Sequence, residues 1–339
     1  MARDFISIVI PVLNEGGNLA RLIERLKPVL DGLGVARWEL VFVDDGSTDE
    51  TLSRLRALNG DDPRIRAISF SRNFGKEIAL AAGIRYATGD AVILMDADLQ
   101  HPPEVLSQFV AHWREGYQVV YGKRIDRNTD SPARRFVSLA FYKLFNALVK
   151  TDIPDGAGDF RLLDRKAADA INRMGEASRF NKGLFSWIGF KSIGVPYTVS
   201  AREGSGGSRW NLRRLISFAL DGLTSFSTLP LRVSTLFGLV ISLIAFAYAM
   251  LFIVKTMIFG TDVPGFPTIV ISVMFLSGVQ LVFLGIIGEY LGRIYEEVKA
   301  RPLYLVADEI GLETPPGRAE RPRDRAEHPR DRSVDTTHP

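Results

Sequence analysis

The sequence predicts an α/β fold in which a parallel sheet is covered by helices on both faces, followed by two long uncharged helices. Three observations lead to this prediction. Short β-rich apolar runs alternate with helix-spaced segments through the first hundred residues. Acidic clusters directly follow several of the apolar runs, and almost no charged residue lies between residues 232 and 289.

The elements are predicted in chain order from hydrophobic spacing. Leu19, Leu22, Ile23, Leu26 and Leu30 recur on one face of a helix. The first apolar run is read as a buried strand and not as a signal peptide, because it is short and has no small-residue cleavage site after it. The strands are predicted at Phe5–Leu13, Trp38–Val43, Arg64–Phe70 and Ala91–Met95, and the helices at Asn18–Leu30, Thr48–Leu58 and Gly75–Ala87.

The composition excludes several classes of protein. With 46% hydrophobic and 24% charged residues, the chain as a whole is not disordered. The net charge of +3 comes from basic residues interleaved with acids, so nucleic acid is not an expected partner. The absence of cysteine excludes disulfides and thiolate chemistry, and the four histidines are too scattered to predict a histidine metal cluster. Any metal should therefore be hard and bound by oxygen.

The second half of the chain predicts association with a membrane. Residues 210–230 mix basic and large apolar residues, as an amphipathic helix at a membrane surface does; a helix packed on a soluble domain is the alternative. Two uncharged runs follow, Val233–Val254 and Val263–Gly288, and each exceeds the ~20 residues that span a bilayer, although a pair of buried core helices would read similarly.

The charges flanking these runs predict the topology. Five arginines precede the first run and Arg293, Lys299 and Arg301 follow the second, whereas the short connection carries only Lys255. The positive-inside rule therefore predicts a hairpin with both termini in the cytoplasm. Residues 313–339 are rich in Pro, Arg and acids and lack aromatics, so a disordered tail is expected there.

Two acidic clusters are candidates for binding chemistry. Asp96-Ala97-Asp98 follows a predicted buried strand, where two carboxylates can turn toward one Mg²⁺ or Mn²⁺ ion; an acidic loop without function is the alternative. Such an ion would neutralise the charge on a departing diphosphate. Asp44 to Asp49 follows another strand, and one leading carboxylate could accept hydrogen bonds from a base or ribose. Alternatively this cluster is only a turn in which Ser47 or Thr48 caps the next helix.

A candidate anion site follows the fourth strand. Ser131-Pro132 predicts a helix start, and Arg134, Ser138 and Tyr142 then share one face. An arginine in the first turn opposes the helix dipole, which favours an anion bound there; Arg124 could reach the same anion. Arg135 is a rival for the role of Arg134, and a solvated basic face is the alternative.

A glycine-rich loop, residues 202–209, carries Arg202 and precedes the amphipathic helix. Its glycines supply mobility and its arginines could close on phosphates, so we expect a lid that orders on substrate binding; a plain linker is the alternative.

Three motifs in order carry a family resemblance: Val9–Glu15, Val43–Asp49 and Asp96–Glu104. Together they resemble the family-2 glycosyltransferases of GT-A fold, and most of all the polyprenyl-phosphate branch, which includes dolichyl-phosphate mannose synthases and bacterial undecaprenyl-phosphate glucosyltransferases. The resemblance covers residues 5–300. It implies a GT-A (Rossmann-like) nucleotide-sugar transferase domain with an interfacial helix and a two-helix transmembrane hairpin.

The resemblance also implies roles for individual residues. In the family, the matching positions line a nucleoside pocket, bind the metal and the diphosphate, approach the sugar, and bind the lipid phosphate. Asp159, in Gly158-Asp159-Phe160-Arg161, is the candidate base, but it could instead orient substrate because the acceptor phosphate is already an anion. The implied residues are Pro11, Glu15, Asp45, Lys76 and Arg202 for the nucleotide-sugar, Asp96 and Asp98 for the metal and diphosphate, Gln100 for the sugar, and Arg124, Arg134 and Ser138 for the acceptor, with Asp98 and Asp159 as the catalytic pair.

The expected function is an inverting transfer of a hexose to polyprenyl phosphate at the cytoplasmic face of the inner membrane, with glucose from UDP-glucose and undecaprenyl phosphate favoured. A GDP-mannose or amino-sugar donor remains open, and a non-catalytic membrane scaffold is the alternative of another class. A processive synthase is disfavoured, because such enzymes carry a Gln-x-x-Arg-Trp motif and this chain has Gly206 in place of the glutamine before Arg209-Trp210. We also expect a homo-oligomer. The predicted regions are a catalytic domain at 1–209, the amphipathic helix at 210–230, spans at 231–259 and 264–291, a cytoplasmic segment at 292–312 and the tail at 313–339.

Overall fold

The computed structural model describes residues 4–125, 157–176, 179–198, 229–259 and 265–312. The predictions for Arg134, Ser138, Arg202, residues 210–228 of the amphipathic segment and the tail from residue 313 lie outside the described residues.

Strands and helices alternate through the first part of the chain, as the hydrophobic spacing predicted. The strands are β1 (Phe5–Val12), β2 (Arg37–Asp44), β3 (Ile65–Phe70), β4 (Ala91–Leu94), β5 (Val119–Arg124), β6 (Ala157–Asp164), β7 (Ser192–Tyr197) and β8 (Val306–Ile310). The helices are α1 (Gly16–Asp31), α2 (Thr51–Asp61), α3 (Lys76–Tyr86), α4 (Leu106–Arg114), α5 (Arg165–Asn172), α6 (Asn181–Trp187), α7 (Leu229–Phe259) and α8 (Phe266–Lys299). A short 3₁₀ helix, Pro103–Val105, precedes α4.

Within the described residues, one sheet contains eight strands in the order β7-β5-β6-β4-β1-β2-β3-β8. Strands β1 to β4 are mutually parallel, as predicted. Beyond these four strands the sheet is mixed, because β6 runs antiparallel to β4 and β5, and β8 runs antiparallel to β3. The strand–helix alternation that implied parallel pairing extends only as far as β4, so it carried no information on the later strands.

Both faces of the sheet are buried. Successive side chains of a strand point to opposite faces, so Ile6, Ile8 and Ile10 of β1 share one face. That face packs with buried residues of α1 and α4. Val9 faces α3 on the other side. A Cβ added to Gly83 would collide with Val9, so glycine at this position lets α3 lie close against the sheet.

The helices α7 and α8 expose many of their large apolar side chains to the surroundings. They contact each other where Phe237 meets Phe283, with ring centroids 6.3 Å apart. By length and composition, one described helical segment, Phe275–Lys299, could cross a membrane, and Ser234–Tyr248 is apolar but shorter. The predicted spans at 231–259 and 264–291 fall on these two helices, and the crossing itself remains a proposal.

Candidate active site

The loops that follow β1, β2 and β4 meet at one edge of the sheet. Since these strands are parallel and adjacent, their carboxyl ends lie side by side. The Asp45 amide donates to the Val12 carbonyl at 2.9 Å, and the Met95 amide donates to the Val9 carbonyl at 3.0 Å. The predicted acidic clusters therefore begin from neighbouring positions, on either side of β1.

The loops after β1 and β2 are joined by hydrogen bonds around Asn14. Its backbone φ is +56°, which asparagine tolerates better than most residues. Its amide donates to Ser47 Oγ at 2.8 Å, and its Oδ1 accepts from the Thr48 amide at 2.9 Å. Ser47 and Thr48 thus bind the neighbouring loop. The alternative in which Ser47 or Thr48 caps the next helix is wrong, because α2 begins only at Thr51.

Pro11 and Glu15 occupy the β1 side of this edge. Pro11 is partly buried within β1, opposite Val43. Glu15 is also partly buried; its amide donates to Thr51 Oγ1 at 3.0 Å and its Oε2 accepts from Asn18 Nδ2 at 2.6 Å. Both predicted nucleoside-pocket residues lie next to the loop of Asp45, and their roles remain predictions.

The two carboxylates at the end of β2 have different partners. Asp44 is buried and accepts hydrogen bonds from the Ser47 amide at 3.0 Å and from Ser69 Oγ at 2.7 Å, which gives it a structural role. Asp45 instead accepts from the Phe74 amide at 2.7 Å and from the Gly75 amide at 2.9 Å. Burial raises the pKa of Asp45, although these amide hydrogen bonds oppose the rise. Asp45 therefore fixes the loop that leads into α3.

Gly46 makes the contact between these two loops possible. Its φ is +74°, and a Cβ built on it would lie 2.5 Å from the Arg72 carbonyl carbon. Any side chain here would be strained and would displace the segment Ser71–Gly75.

Lys76 joins that segment to the second acidic cluster. Its ammonium lies 2.7 Å from Asp96 Oδ1 and 3.1 Å from Asp159 Oδ2. Burial alone would lower the pKa of Lys76, but the two carboxylates outweigh burial and leave this pKa raised, so the amine is charged. Leu94 pairs with Arg161 across β4 and β6, and the same antiparallel register continued by two residues sets Asp159 opposite Asp96. The sequence did not predict this carboxylate–lysine–carboxylate cluster.

Asp159 is ionised even though it is buried. Burial would raise its pKa, but Lys182, Lys76 and Arg161 together lower it below the ordinary range of a carboxyl group. Among the described residues, its Oδ1 has no hydrogen-bond partner. A carboxylate with a lowered pKa is a weak base, so the electrostatics favour the orienting role over proton abstraction. Sequence reasoning missed the contributions of Lys182 and Arg161.

The second half of the Asp96–His101 loop is fixed by local hydrogen bonds. Asp98 Oδ1 accepts from the Gln100 amide at 3.1 Å, and His101 Nδ1 accepts from the Asp96 amide at 3.2 Å. The His101 ring stacks on Phe160 at 4.6 Å, and burial lowers its pKa, so the imidazole is neutral. His101 thus supports Asp96. The sequence offered no signal for this role beyond the position of His101 shortly after the acidic pair.

Of the three predicted acceptor residues, Arg124 is the one that lies within the described residues. It ends β5 opposite Tyr197 of β7. The Tyr197 ring contacts His101 edge-on at 5.9 Å, which places this end of β5 near the acidic loop. Arg134, Ser138 and Arg202 lie outside the described residues.

The acidic loop offers carboxylate oxygens, the ligand type that a hard cation takes together with phosphate oxygens, and Lys76 contacts both oxygens of Asp96. No group of three or more His, Cys, Asp or Glu residues that could hold a metal occurs in the part of the chain described. Asp96 and Asp98 offer two carboxylates, which is what Mg²⁺ commonly takes from a protein when phosphates supply other ligands. The unpartnered, buried Asp159 Oδ1 adds a further acceptor beside Asp96.

Comparison with known proteins defines the class to which this fold and site belong. The family described as "Glycosyl transferase family 2" matches residues 7–171. An uncharacterized glycosyltransferase of Synechocystis sp. is 49% identical over 308 residues, covering 91% of this chain and 96% of that protein. A prophage-derived bactoprenol glucosyl transferase of Shigella flexneri is 43% identical over 307 residues, covering 89% of this chain and 97% of that protein. Among solved structures, glucosyl-3-phosphoglycerate synthase from Mycobacterium tuberculosis overlaps 64% of this chain and 75% of its own, at 21% identity and a TM-score of 0.44.

The family match and these relatives therefore define the class as a glycosyltransferase, as the sequence predicted. The chain belongs to glycosyl transferase family 2.

Proposed function

We propose that this enzyme transfers glucose from UDP-glucose to a polyprenyl phosphate at a membrane surface. The observation that carries the proposal is the position of Lys76. Its ammonium group forms ion pairs with Asp96 and Asp159, and it directly follows Gly75 in sequence, whose amide donates to Asp45. A nucleoside near Asp45 would direct its diphosphate toward this ammonium group. The name of the 43% identical Shigella flexneri relative, a bactoprenol glucosyl transferase, supports a polyprenyl acceptor and glucose.

The proposed reaction is a single displacement. An oxygen of the lipid phosphate forms a bond to the anomeric carbon of glucose while the bond from that carbon to the UDP oxygen breaks. UDP leaves with the electron pair, and the configuration of the sugar is inverted. No proton needs to be removed, because the lipid phosphate is an anion at neutral pH.

In this proposal, the residues predicted from the sequence divide this work among them. Pro11, Glu15 and Asp45 border the nucleoside, and Lys76 offsets the negative charge of the diphosphate. Asp159 orients the sugar or the incoming phosphate, and Gln100 approaches the sugar. Arg124, together with Arg134 and Ser138, binds the lipid phosphate, and Arg202 closes over the donor.

Asp96 and Asp98 would hold a divalent cation, Mg²⁺ or Mn²⁺. When bound, such an ion neutralises the charge that builds up on the departing diphosphate. The Lys76 ammonium balances part of the charge of the acidic cluster.

Membrane attachment by α7 and α8 is part of the proposal. Their exposed apolar side chains and the length of Phe275–Lys299 support insertion into a bilayer. The flanking basic residues support a hairpin with both termini and the active site in the cytoplasm, at the inner membrane. A polyprenyl phosphate could then present its head group to the enzyme without leaving the lipid.

A donor panel tests the proposal. The purified full chain in polyprenyl-phosphate-containing vesicles is incubated with Mn²⁺ and one labelled donor at a time: UDP-glucose, UDP-N-acetylglucosamine or GDP-mannose. We expect label in the lipid fraction from UDP-glucose, with the anomeric configuration inverted. Transfer only from GDP-mannose or only from UDP-N-acetylglucosamine would show that the donor is not UDP-glucose. Absence of transfer from every donor would contradict the proposed function.

A further inference from the structure

The chain returns to the catalytic sheet after α8. Strand β8 forms one edge of the sheet and pairs antiparallel with β3, with Glu309 opposite Ile68 and Asp308 opposite Ser69. Two side-chain contacts support the pairing: Arg56 to Asp308 at 2.9 Å and Tyr86 Oη to Glu309 Oε1 at 3.0 Å. The last apolar helix is thereby connected to the sheet by only a few residues.

Tyr304 lies where this returning segment meets the end of β3. Its ring stacks on Phe70, with centroids 4.9 Å apart and an interplanar angle of 23°. Beside it, the Ser71 amide donates to the Leu305 carbonyl at 3.0 Å. The C-terminal segment therefore holds the first residues of the loop between β3 and α3.

The same stack continues to the other end of that loop. Phe70 contacts Phe74 edge-on, with centroids 5.6 Å apart, and the Arg72 guanidinium lies 4.0 Å from the centre of the Phe74 ring. The Phe74 amide is one of the two that bind Asp45. One aromatic row thus runs from Tyr304 to the residue that holds Asp45.

We propose that Tyr304 is a positioning residue for the donor site. By packing against Phe70, it holds residues 71–75 in the conformation in which the Phe74 and Gly75 amides bind Asp45 and Lys76 reaches Asp96. The segment that follows the membrane helices thus sets the geometry of a catalytic loop far from it in sequence. This inference rests on the proposed function only in naming UDP-glucose as the donor.

Hydrogen exchange and donor binding together test this role on the full chain. In Tyr304→Ala we expect the Phe74 and Gly75 amides to exchange faster than in the wild type. We also expect both the Kd and the KM for UDP-glucose to rise about tenfold, the size of one lost aromatic pair. Tyr304→Phe keeps the ring and should restore wild-type behaviour.

The matched control lies on the same strand. Glu309→Gln weakens the contact with Tyr86 but leaves the aromatic row. It should therefore lower Tm without changing the KM for UDP-glucose. If Tyr304→Ala does not fold, Tyr304→Leu, which keeps apolar bulk but no ring, takes its place with the same expectation.

The outcomes separate the two claims. Unchanged exchange at Phe74 and Gly75, or a Tyr304→Ala protein that binds UDP-glucose as the wild type does, would overturn the role of Tyr304. A wild-type protein that binds no UDP-glucose would overturn the proposed donor, while faster exchange in Tyr304→Ala would still support the positioning of the loop.

Discussion

The ammonium group of Lys76 lies 2.7 Å from Oδ1 of Asp96, across the gap between the start of α3 and the end of β4. Lys76 directly follows Gly75, whose amide binds Asp45. One short loop thus contacts both the candidate nucleoside side and the candidate reaction side of the site.

Replacing Lys76 should weaken catalysis and change its pH dependence. Lys76→Gln removes one of the cations that lower the pKa of Asp159, so this pKa should rise. If ionised Asp159 is required, the acidic limb of the kcat/KM profile moves to higher pH. At neutral pH we expect kcat/KM to fall roughly ten- to a hundredfold, the size of a lost charge-assisted hydrogen bond.

Lys166→Gln is the control for this substitution. Lys166 is exposed and follows Asp164, which pairs with Ala91 at the opposite end of β4 from Asp96. It should leave the pH profile unchanged. If the acidic limb of the Lys76→Gln profile stays at the wild-type pH, Lys76 does not control the ionisation of Asp159 in the reaction.

Asp98→Asn should reduce kcat by roughly a hundredfold or more, because a neutral amide oxygen binds a divalent cation much more weakly than a carboxylate does. The matched control is Asp61→Asn, at an exposed position at the end of α2. Steady-state transfer to the lipid acceptor measures both. Unchanged turnover in Asp98→Asn would show that the metal assignment is wrong.

Gly46→Ala should destabilise the protein and weaken donor binding. Its Cβ would lie 2.5 Å from the Arg72 carbonyl carbon, at a φ of +74°, and we expect a loss of ~1–3 kcal/mol in the free energy of unfolding. Gly34→Ala shares the strained φ of +64° but meets nothing within 4 Å, so it separates strain from collision. Denaturant unfolding and UDP-glucose titration provide the measurements. A Gly46→Ala protein no worse than Gly34→Ala in either would contradict the close contact of the two loops.

Leu284→Arg should reduce membrane insertion. Leu284 is exposed on α8, inside the predicted span, and a central arginine costs ~2.5–3.5 kcal/mol in insertion. Val298→Arg lies near the end of the same helix and should insert normally. The fraction of protein retained in carbonate-washed membranes distinguishes the two. Equal retention would argue that α8 lies outside the bilayer.

The strands and helices as far as β4 were predictable because their hydrophobic spacing is local. The meeting of Asp45 and Asp96 at one edge followed from the general rule for parallel strands. The roles assigned to these residues depend on the family resemblance and remain predictions.

The remaining features depend on contacts between residues distant in sequence. Asp159 lies opposite Asp96 because β6 pairs antiparallel with β4, across more than sixty residues of chain. Strand β8 carries two consecutive acidic residues, and the partners of its Asp308 and Glu309, Arg56 and Tyr86, lie over two hundred residues away. No local periodicity encodes either pairing. The support that His101 gives to Asp96 needs a specific turn, in which Leu99 has a φ of +57°.

The most direct test of the account is diffraction from crystals of the full chain grown with UDP-glucose and Mn²⁺, recorded at the manganese absorption edge. We expect an anomalous peak for a manganese ion coordinated by Asp98 and Asp96, with the diphosphate against Lys76 and the uracil beside Asp45. A peak on other residues, or a nucleotide bound away from this edge of the sheet, would contradict it.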